Sequence, residues 1–287
     1  MKRTYSVIGA GRAGRAVAKL MRARAKWRPL ALACRSLPSA RAARRFVGAG
    51  RPTTDPASAA RDADLVILAV PDAAIAPVWR QIAPHLKRGA TAIHLCGNEP
   101  STILRPVPPG ASTGALHPLR SFADPALAVA DFAGTFCAVE GPAWLERLVR
   151  TWGGIPVRVN PRAKALYHAA AVFASNYLVA ALDAGVELLR RASKLPPARA
   201  LDALLGMAGG TLRNLHAAGL PRALTGPIER GDAATVRRHL DALAAQDVRL
   251  LRLYAELARR TCRVARAKGT PAGRLMRIER LLSNVRA

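Results

Sequence analysis

The sequence predicts an α/β protein: a doubly wound, mainly parallel sheet in the first half and an all-α second half. Three observations predict it. A short apolar run, Tyr5 to Ile8, flows into Gly9-Ala10-Gly11-Arg12-Ala13-Gly14 and then into an Ala-rich helical stretch. Apolar strand runs and helical stretches then alternate as far as Val159, the pattern of a sheet with helices on both faces. From Asn160-Pro161 onward only helical periodicity remains, and these two residues suit an N-cap and a first helical position. Residues 1–160 are therefore expected to form one domain and residues 161–287 another.

The elements follow in order. After the glycine turn, Arg15 to Ala25 reads as helix and Leu30 to Cys34 as the second strand. Pro56 to Asp62 looks helical. Asp64 to Val70 is the clearest buried strand, ended by Pro71-Asp72 and followed by a helix from Ala74 to Leu86. Ala90 to Leu95 is a strand leading into a Pro- and Gly-rich loop. Ser112–Leu116 and Thr135–Val139 are further strands, Trp144 to Trp152 is a helix, and Ile155 to Val159 closes the sheet. A long helix runs from Pro161 to about Ser193. Helical breaks are expected at Pro196-Pro197, Gly209-Gly210, Gly219-Leu220-Pro221 and Gly231-Asp232.

A strand, a tight glycine turn and a helix N-terminus together make a place for a pyrophosphate. Gly9 permits the turn, Gly11 lets the backbone approach the phosphates, and Gly14 lets the helix pack on the strand. The free N–H groups at the helix start add a positive dipole end. This is the Rossmann arrangement, and Gly9, Ala10, Gly11, Arg12, Ala13 and Gly14 are its expected cofactor contacts. The second strand ends in Cys34-Arg35-Ser36, with no acid before Asp55. An acid there would hold the ribose 2′-OH of NAD; Arg35 and Ser36 point to the 2′-phosphate of NADP. Val70 and Pro71, at the end of a central strand, are expected beside the cofactor, with Asp72 either at the site or capping the next helix.

Bulk properties narrow the function. At 287 residues and 51% hydrophobic content the chain can bury two cores. Cys34, Cys96, Cys137 and Cys262 lie far apart without a C-x-x-C, so neither a zinc site nor a disulfide framework is expected, and a cytoplasmic setting fits. No signal peptide is expected ahead of the first strand. Ala165 to Leu182 carries no Asp, Glu, Lys or Arg, the lower edge of spanning length. Its His168, Ser175 and Asn176 argue for a buried helix in a soluble protein instead. The net charge of +27 comes from 38 Arg and 7 Lys spread along the chain, with only 5% aromatic residues. No zinc finger or RNP-type motif accompanies it, so specific nucleic-acid binding is not expected.

The catalytic candidates lie on the long helix. At 100° per residue, Lys164, His168 and Ser175 fall within about 40° of one another, and Asn176 sits about 80° beyond His168. An ammonium, an imidazole and a hydroxyl on an otherwise apolar helix suggest a lined cleft, since burying them without partners is costly. The alternative leaves Lys164 solvated and His168 packed against the sheet. Cys96-Gly97 and His117 follow strand ends and would face the nicotinamide. Gly97 would allow close approach of substrate, and Cys96 reads as packing.

In order, the chain carries Gly9-x-Gly11-x-x-Gly14, Ala69-Val70-Pro71-Asp72, His94-x-Cys96-Gly97 and Leu116-His117-Pro118-Leu119-x-Ser121-Phe122. Lys164-Ala165-Leu166-Tyr167-His168, continuing to Tyr177, and Leu224-Thr225-Gly226-Pro227-Ile228-x-Arg230-Gly231-Asp232 follow. This set resembles the bacterial Rossmann-like proteins whose helical half is domain of unknown function 2520. That family is similar in plan to pyrroline-5-carboxylate reductase, ketopantoate reductase and the β-hydroxyacid dehydrogenases. The resemblance implies an NADP-binding domain, a helical second domain of the 6-phosphogluconate dehydrogenase C-terminal type, a cleft between them and a homodimer. In β-hydroxyacid dehydrogenases an asparagine follows the catalytic lysine by four residues; here His168 follows Lys164. Their serine-glycine element stands here as Cys96-Gly97. A β-hydroxyacid substrate is therefore not implied.

The expected activity is an NADP-dependent oxidoreductase that moves hydride to or from a small carbonyl or imine compound between the two domains. His168 is the expected general acid/base, with Lys164 polarising the carbonyl or serving as the acid. Asn176 and Ser175 would orient substrate, Thr225 would close the cleft, and Arg230 would bind a carboxylate. The rival is a non-catalytic NADP-binding redox sensor or complex subunit.

Overall fold

The computed structural model describes residues 3–285. Contacts divide the chain into two units, one ending at Asn176 and one beginning at Tyr177. The first is built on a single sheet of β1 (Thr4–Ile8), β2 (Arg28–Ala33), β3 (Arg51–Thr53), β4 (Leu65–Leu68), β5 (Thr91–His94), β6 (Ser112–Pro118), β7 (Phe136–Glu140) and β8 (Ile155–Arg158). The strand order is β3-β2-β1-β4-β5-β6-β7-β8. Every neighbouring pair is parallel except β6 and β7, which are antiparallel. The order reverses at β1, so the ends of β1 and β4 flank the switch point where open α/β sheets receive ligands.

The helices of this unit are α1 (Arg12–Ala23), α2 (Leu37–Val47), α3 (Pro56–Ala60), α4 (Asp72–Ile82), α5 (Pro125–Ala130), α6 (Trp144–Thr151) and α7 (Lys164–Ala174). The period-2 alternation of the strands divides their apolar residues between two cores. On one face Val7, Leu65, Ile67 and Ile93 pack with Val17 and Leu20 of α1, Val47 of α2 and Leu145 of α6. On the other, Ile8, Val66, Leu68 and Ala92 pack with Ala59 of α3 and Ile75 and Trp79 of α4. Both faces being covered explains why β4 reads as an unbroken apolar run.

Three elements carry no expectation from the sequence: α2, β3 and α5. Helix α2 nevertheless has the usual punctuation. The Ser36 side chain accepts from the Ser39 N–H, a proline stands in its first turn, and Gly48 closes it at φ 87°.

The segment after the sheet departs from expectation in two ways. A 3₁₀ turn, Pro161–Ala163, leads into α7, and the Asn160 side chain accepts from the Arg162 N–H. The helix then breaks at Ser175, at φ −124° and ψ −76°, before α8 (Asn176–Ser193) begins. The expected single helix is therefore two, and a helical wheel drawn through Ser175 does not hold. The segment is also not a buried helix, for none of residues 165–182 is buried. Pro161–Ser193 is long and apolar enough to span a membrane by length and composition, with a mean hydropathy of 1.5.

The second unit continues with α9 (Pro197–Ala218), α10 (Leu220–Ala223), α11 (Pro227–Arg230), α12 (Ala233–Ala244), α13 (Val248–Lys268) and α14 (Ala272–Ser283). Its core joins Ile228, Val236, Ala255, Ala258, Cys262, Leu275, Ile278 and Leu282. Asp232 and Asp247 cap α12 and α13. The expected break at Gly209-Gly210 is absent, since α9 runs through both glycines. Two glycines cost about 1 kcal/mol each against alanine, too little to interrupt a 22-residue helix.

Candidate active site

The glycine loop stands at the switch point with the geometry a pyrophosphate requires. Gly9 has φ 88°, and a Cβ there would lie 2.5 Å from the Ala69 carbonyl oxygen. A Cβ on Gly14 would lie 2.4 Å from the Gly9 oxygen, so α1 approaches the end of β1 only because Gly14 lacks a side chain, while the bare Gly9 lets the turn sit against Ala69. Gly11 differs: its Cβ direction meets nothing closer than 3.9 Å. That opening faces the start of α1, whose N-cap Gly11 supplies no side-chain hydrogen bond to the first-turn amides. Those N–H groups, on Arg12, Ala13 and Gly14, have no intrahelical partner and suit an anion. The residues present thus fit a dinucleotide. Ala10 is buried and donates to the Ala33 carbonyl, while Arg35 and Ser36 are exposed just beyond β2. Val70 and Pro71 follow β4, with Val70 packed against Gly9.

Two strands away, small residues make room for a polar cluster. His94, Ala115 and Glu140 lie in register across β5, β6 and β7, with His117 beside Ala138 in the next row. Side chains in register share a face. Lys164, from the first turn of α7, reaches this face and meets Glu140, Nζ to Oε1, at 3.0 Å. The two side chains are 2% and 7% exposed. The ion pair lies off the direction of an aligned hydrogen bond, and neither atom has another partner. The second oxygen, Glu140 Oε2, accepts from the Ser101 N–H at 2.9 Å.

The three histidines differ in what they are free to do. His94 is fully engaged: its Nδ1 accepts from the Cys96 N–H and its Nε2 donates to the Pro100 carbonyl, both at 3.2 Å. Burial, reinforced by the Lys164 charge, pushes its pKa down to about 4. His117 is pushed down to about 4 by the same two causes, with His168 adding to them. Its Nδ1 lies 2.9 Å from the Tyr167 hydroxyl. His168 Nδ1 is buried with no partner. A Cβ on Gly97 would lie 2.8 Å from His168 Nδ1 and 2.9 Å from His117 Nε2, so both imidazoles bear on the space above that glycine.

His117 and His168 line a cavity of about 390 Å³ with Leu119, Arg120, Ser175 and Asn176 among its other walls. Its lining mixes polar groups with apolar Ala171 and Val172, as small-molecule sites do. Of the six buried side-chain polar atoms without a hydrogen-bond partner among the described residues, three are Glu140 Oε1, Lys164 Nζ and His168 Nδ1, and a fourth is Arg120 Nε. Such atoms are rare in native proteins and concentrate where a ligand completes them.

The structure thus brings together His117, His168, Ser175 and Asn176 at one cavity, with Gly97 against the two imidazoles and Lys164 held apart in an ion pair. Ser175 is engaged at the helix break, 2.8 Å from the Ala171 carbonyl and 2.9 Å from Asn176 Oδ1. The Cys96 sulfur accepts from the Asn98 and Glu99 N–H groups, and burial pushes its thiol up to about 11. Asp72, in the first turn of α4, adds to that rise. Thr225 and Arg230 are exposed residues of the second unit, around α11. Glu140 and Tyr167 are site residues that sequence reasoning missed. The signal for Glu140 was an acid closing the apolar run Phe136-Cys137-Ala138-Val139.

An eight-stranded Rossmann sheet with a glycine loop at its switch point, followed by a helical region, is the fold of nicotinamide-dependent oxidoreductases. Residues 2–118 match the Rossmann-like domain and residues 135–261 match domain of unknown function 2520, DUF2520. The chain carries these two domains in that order.

Solved structures agree with this fold. A Bacteroides fragilis protein assigned as an NADP oxidoreductase is 27% identical, with a TM-score of 0.76 over 91% of this chain and 98% of its own. A Thermotoga maritima protein is 22% identical, with a TM-score of 0.72 over 92% and 99%. Plasmodium falciparum pyrroline carboxylate reductase, with NADP bound, is 13% identical, with a TM-score of 0.58 over 94% and 98%. The chain matches no curated protein.

Proposed function

We propose that this protein is an NADP-dependent oxidoreductase acting on a small carbonyl or imine substrate held in the His117–His168 cavity. The observation that carries this reading is His168 Nδ1, a buried atom without a hydrogen-bond partner that bears with His117 on the space above Gly97, near the buried Lys164–Glu140 ion pair at the end of the sheet that also bears the glycine loop. A structural histidine would be satisfied internally; this one is not. When bound, the cofactor supplies the hydride, and the protein must orient substrate and move one proton. His168, open on Nδ1 and on the cavity wall, is the group placed to exchange it.

Lys164 takes a different part from the one its spacing suggests. It does not line the cavity; it is paired with Glu140, and its charge, added to burial, disfavours protonation of His94 and His117. Asn176 orients substrate from the cavity wall, and Arg35 with Ser36 recognises the 2′-phosphate. The similar Bacteroides fragilis protein, assigned to NADP, supports the cofactor choice.

A second copy of the chain, in a soluble cytoplasmic homodimer, is the partner that best accounts for the exposed apolar side chains of α7 to α9. Leu166, Phe173, Val179 and Met207 are each more than two-thirds exposed. The break at Ser175 argues against a membrane there, since lipid tolerates only backbone that is satisfied internally. Light scattering should give twice the 30.5 kDa chain mass.

The deciding experiment combines NADPH binding, followed by nucleotide fluorescence, with cofactor oxidation against ketoacids, aldehydes and cyclic imines. Turnover of any of these establishes the enzyme. Tight NADPH binding without turnover across the panel would overturn it in favour of a redox sensor.

A further inference from the structure

The two imidazoles above Gly97 constrain which atom of the substrate can sit between them. Tyr167 makes one hydrogen bond, the 2.9 Å contact with His117 Nδ1. Burial raises the phenol to about 12, so it keeps its proton and is able to donate to that nitrogen. With Tyr167 as the donor, His117 Nδ1 accepts and the ring proton resides on Nε2, the atom that bears on the space above Gly97. Around His117 stand Lys164 and His168 of α7, Asp72 of α4 and His94 of β5; burial foremost, joined by the Lys164 charge, outweighs Asp72 and keeps the ring neutral. His117 is therefore a fixed hydrogen-bond donor rather than an acid. His168 Nδ1 bears on the same space, and the two ring centroids are 6.0 Å apart.

We infer that the substrate's reacting polar atom is an oxygen, that of a ketone or aldehyde in one direction and of an alcohol in the other, seated over Gly97 between His117 Nε2–H and His168 Nδ1. A carbonyl oxygen has two lone pairs and accepts from both nitrogens when His168 carries its proton. As hydride adds to the carbonyl carbon, the C=O π pair moves onto oxygen and forms a bond to the His168 proton. The products are the alcohol, neutral His168 and oxidised nicotinamide. The alcohol oxygen still accepts from His117 and now donates to the freed Nδ1, so both protein atoms stay satisfied throughout. A cyclic imine nitrogen has one in-plane lone pair and no hydrogen, and it leaves one of the two unpaired. Sites built around such hydrogen bonds reject ligands that cannot complete them. Tyr167 is a positioning residue in this scheme, because it acts only by fixing which nitrogen of His117 carries the proton.

This inference rests on the oxidoreductase reading, and its test separates the two. The full-length protein is assayed for NADPH oxidation with small aldehydes and ketones and with 1-pyrroline and 1-piperideine. Carbonyl turnover exceeding imine turnover by about 10²-fold or more is expected. Imine turnover at or above that of the carbonyls overturns the oxygen assignment and leaves the oxidoreductase intact; no turnover of either overturns both. Independently, ¹⁵N NMR should show His117 neutral with its proton on Nε2 at pH 7. Tyr167→Phe should yield mixed tautomers and a fall in kcat of about 10-fold or more with NADPH affinity retained. A His117 found protonated, or carrying its proton on Nδ1, in the unmodified protein overturns the assignment whatever the turnover.

Discussion

Lys164, in the first turn of α7, and Glu140, at the end of β7, meet at 3.0 Å, and both side chains are buried. Removing one partner from such a pair leaves an uncompensated buried charge, which costs about 3–5 kcal/mol, whereas replacing both with apolar groups of similar volume is close to neutral. Glu140→Gln should therefore lower the urea midpoint strongly. The double variant Glu140→Leu/Lys164→Met should recover most of the loss. The Ser101 N–H would also lose its acceptor in the double variant, so recovery should be incomplete. If both single variants unfold at the midpoint of the unmodified protein, the pair is not a buried charge pair in solution.

Gly97 offers a probe of the cavity that alters no titratable group. An added methyl would stand 2.8 Å from both His117 Cε1 and His168 Nδ1, closer than real Cβ atoms approach. The rings must move apart. Displacements of about 1 Å at a reacting centre cost about 10²-fold in rate, so Gly97→Ala should lower kcat on that order while NADPH affinity holds. Equal loss of cofactor binding would mean that Gly97 serves the nucleotide.

His168→Ala should cost about 10²–10⁴ in turnover with NADPH binding unchanged, the range for removing a general acid/base. His94→Ala at the same face serves as a contrast. His94 is saturated by Cys96 and Pro100, so its loss should appear in stability more than in the chemical step. Rate measurements on both variants, paired with thermal unfolding, distinguish the roles. Unchanged turnover in His168→Ala removes it from the mechanism.

The parts of this protein that sequence displays are those whose physics is local. The glycine loop is legible because Gly9, Gly11 and Gly14 stand within six residues between a strand and a helix, and β4 because both its faces are covered. Helix α2 was equally local, with Ser36, a first-turn proline and Gly48 as punctuation, and could have been read. The antiparallel insertion of β7 beside β6 has no such signature, and the site depends on it. Only that pairing sets Glu140 level with His94, and only then does Lys164, 24 positions along the chain, find its partner. The polar stripe on α7 includes His168, which lies on the cavity wall. Ser175 lies on the same cavity wall, but at a helix break that no glycine or proline announces.

The second strand's end makes the cofactor choice testable in isolation. Arg35 is exposed and no acid stands nearby in sequence to hold a 2′-OH. Arg35→Ala should raise the Kd for NADPH by about 10-fold or more, since charge-assisted bonds to phosphate contribute about 1.5–3 kcal/mol. The Kd for NADH should change little. Equal weakening of both nucleotides would place Arg35 on a phosphate they share.

The last prediction concerns acid stability. Burial and the Lys164 charge bring His94 and His117 down to about 4 in the folded protein, against about 6.5 in an unfolded chain. Above pH 6.5 both states hold these rings neutral, so neither ring contributes a pH dependence. As pH falls from about 6.5 towards 4, the unfolded chain takes up protons that the folded one refuses, and stability declines. Below about 4 the folded rings protonate too, and their further contribution vanishes. Denaturant midpoints across this window should show uptake of about two protons on unfolding beyond that of the carboxylates. His94→Asn should remove one of them. A slope unchanged by that substitution would show that His94 titrates normally in the folded state.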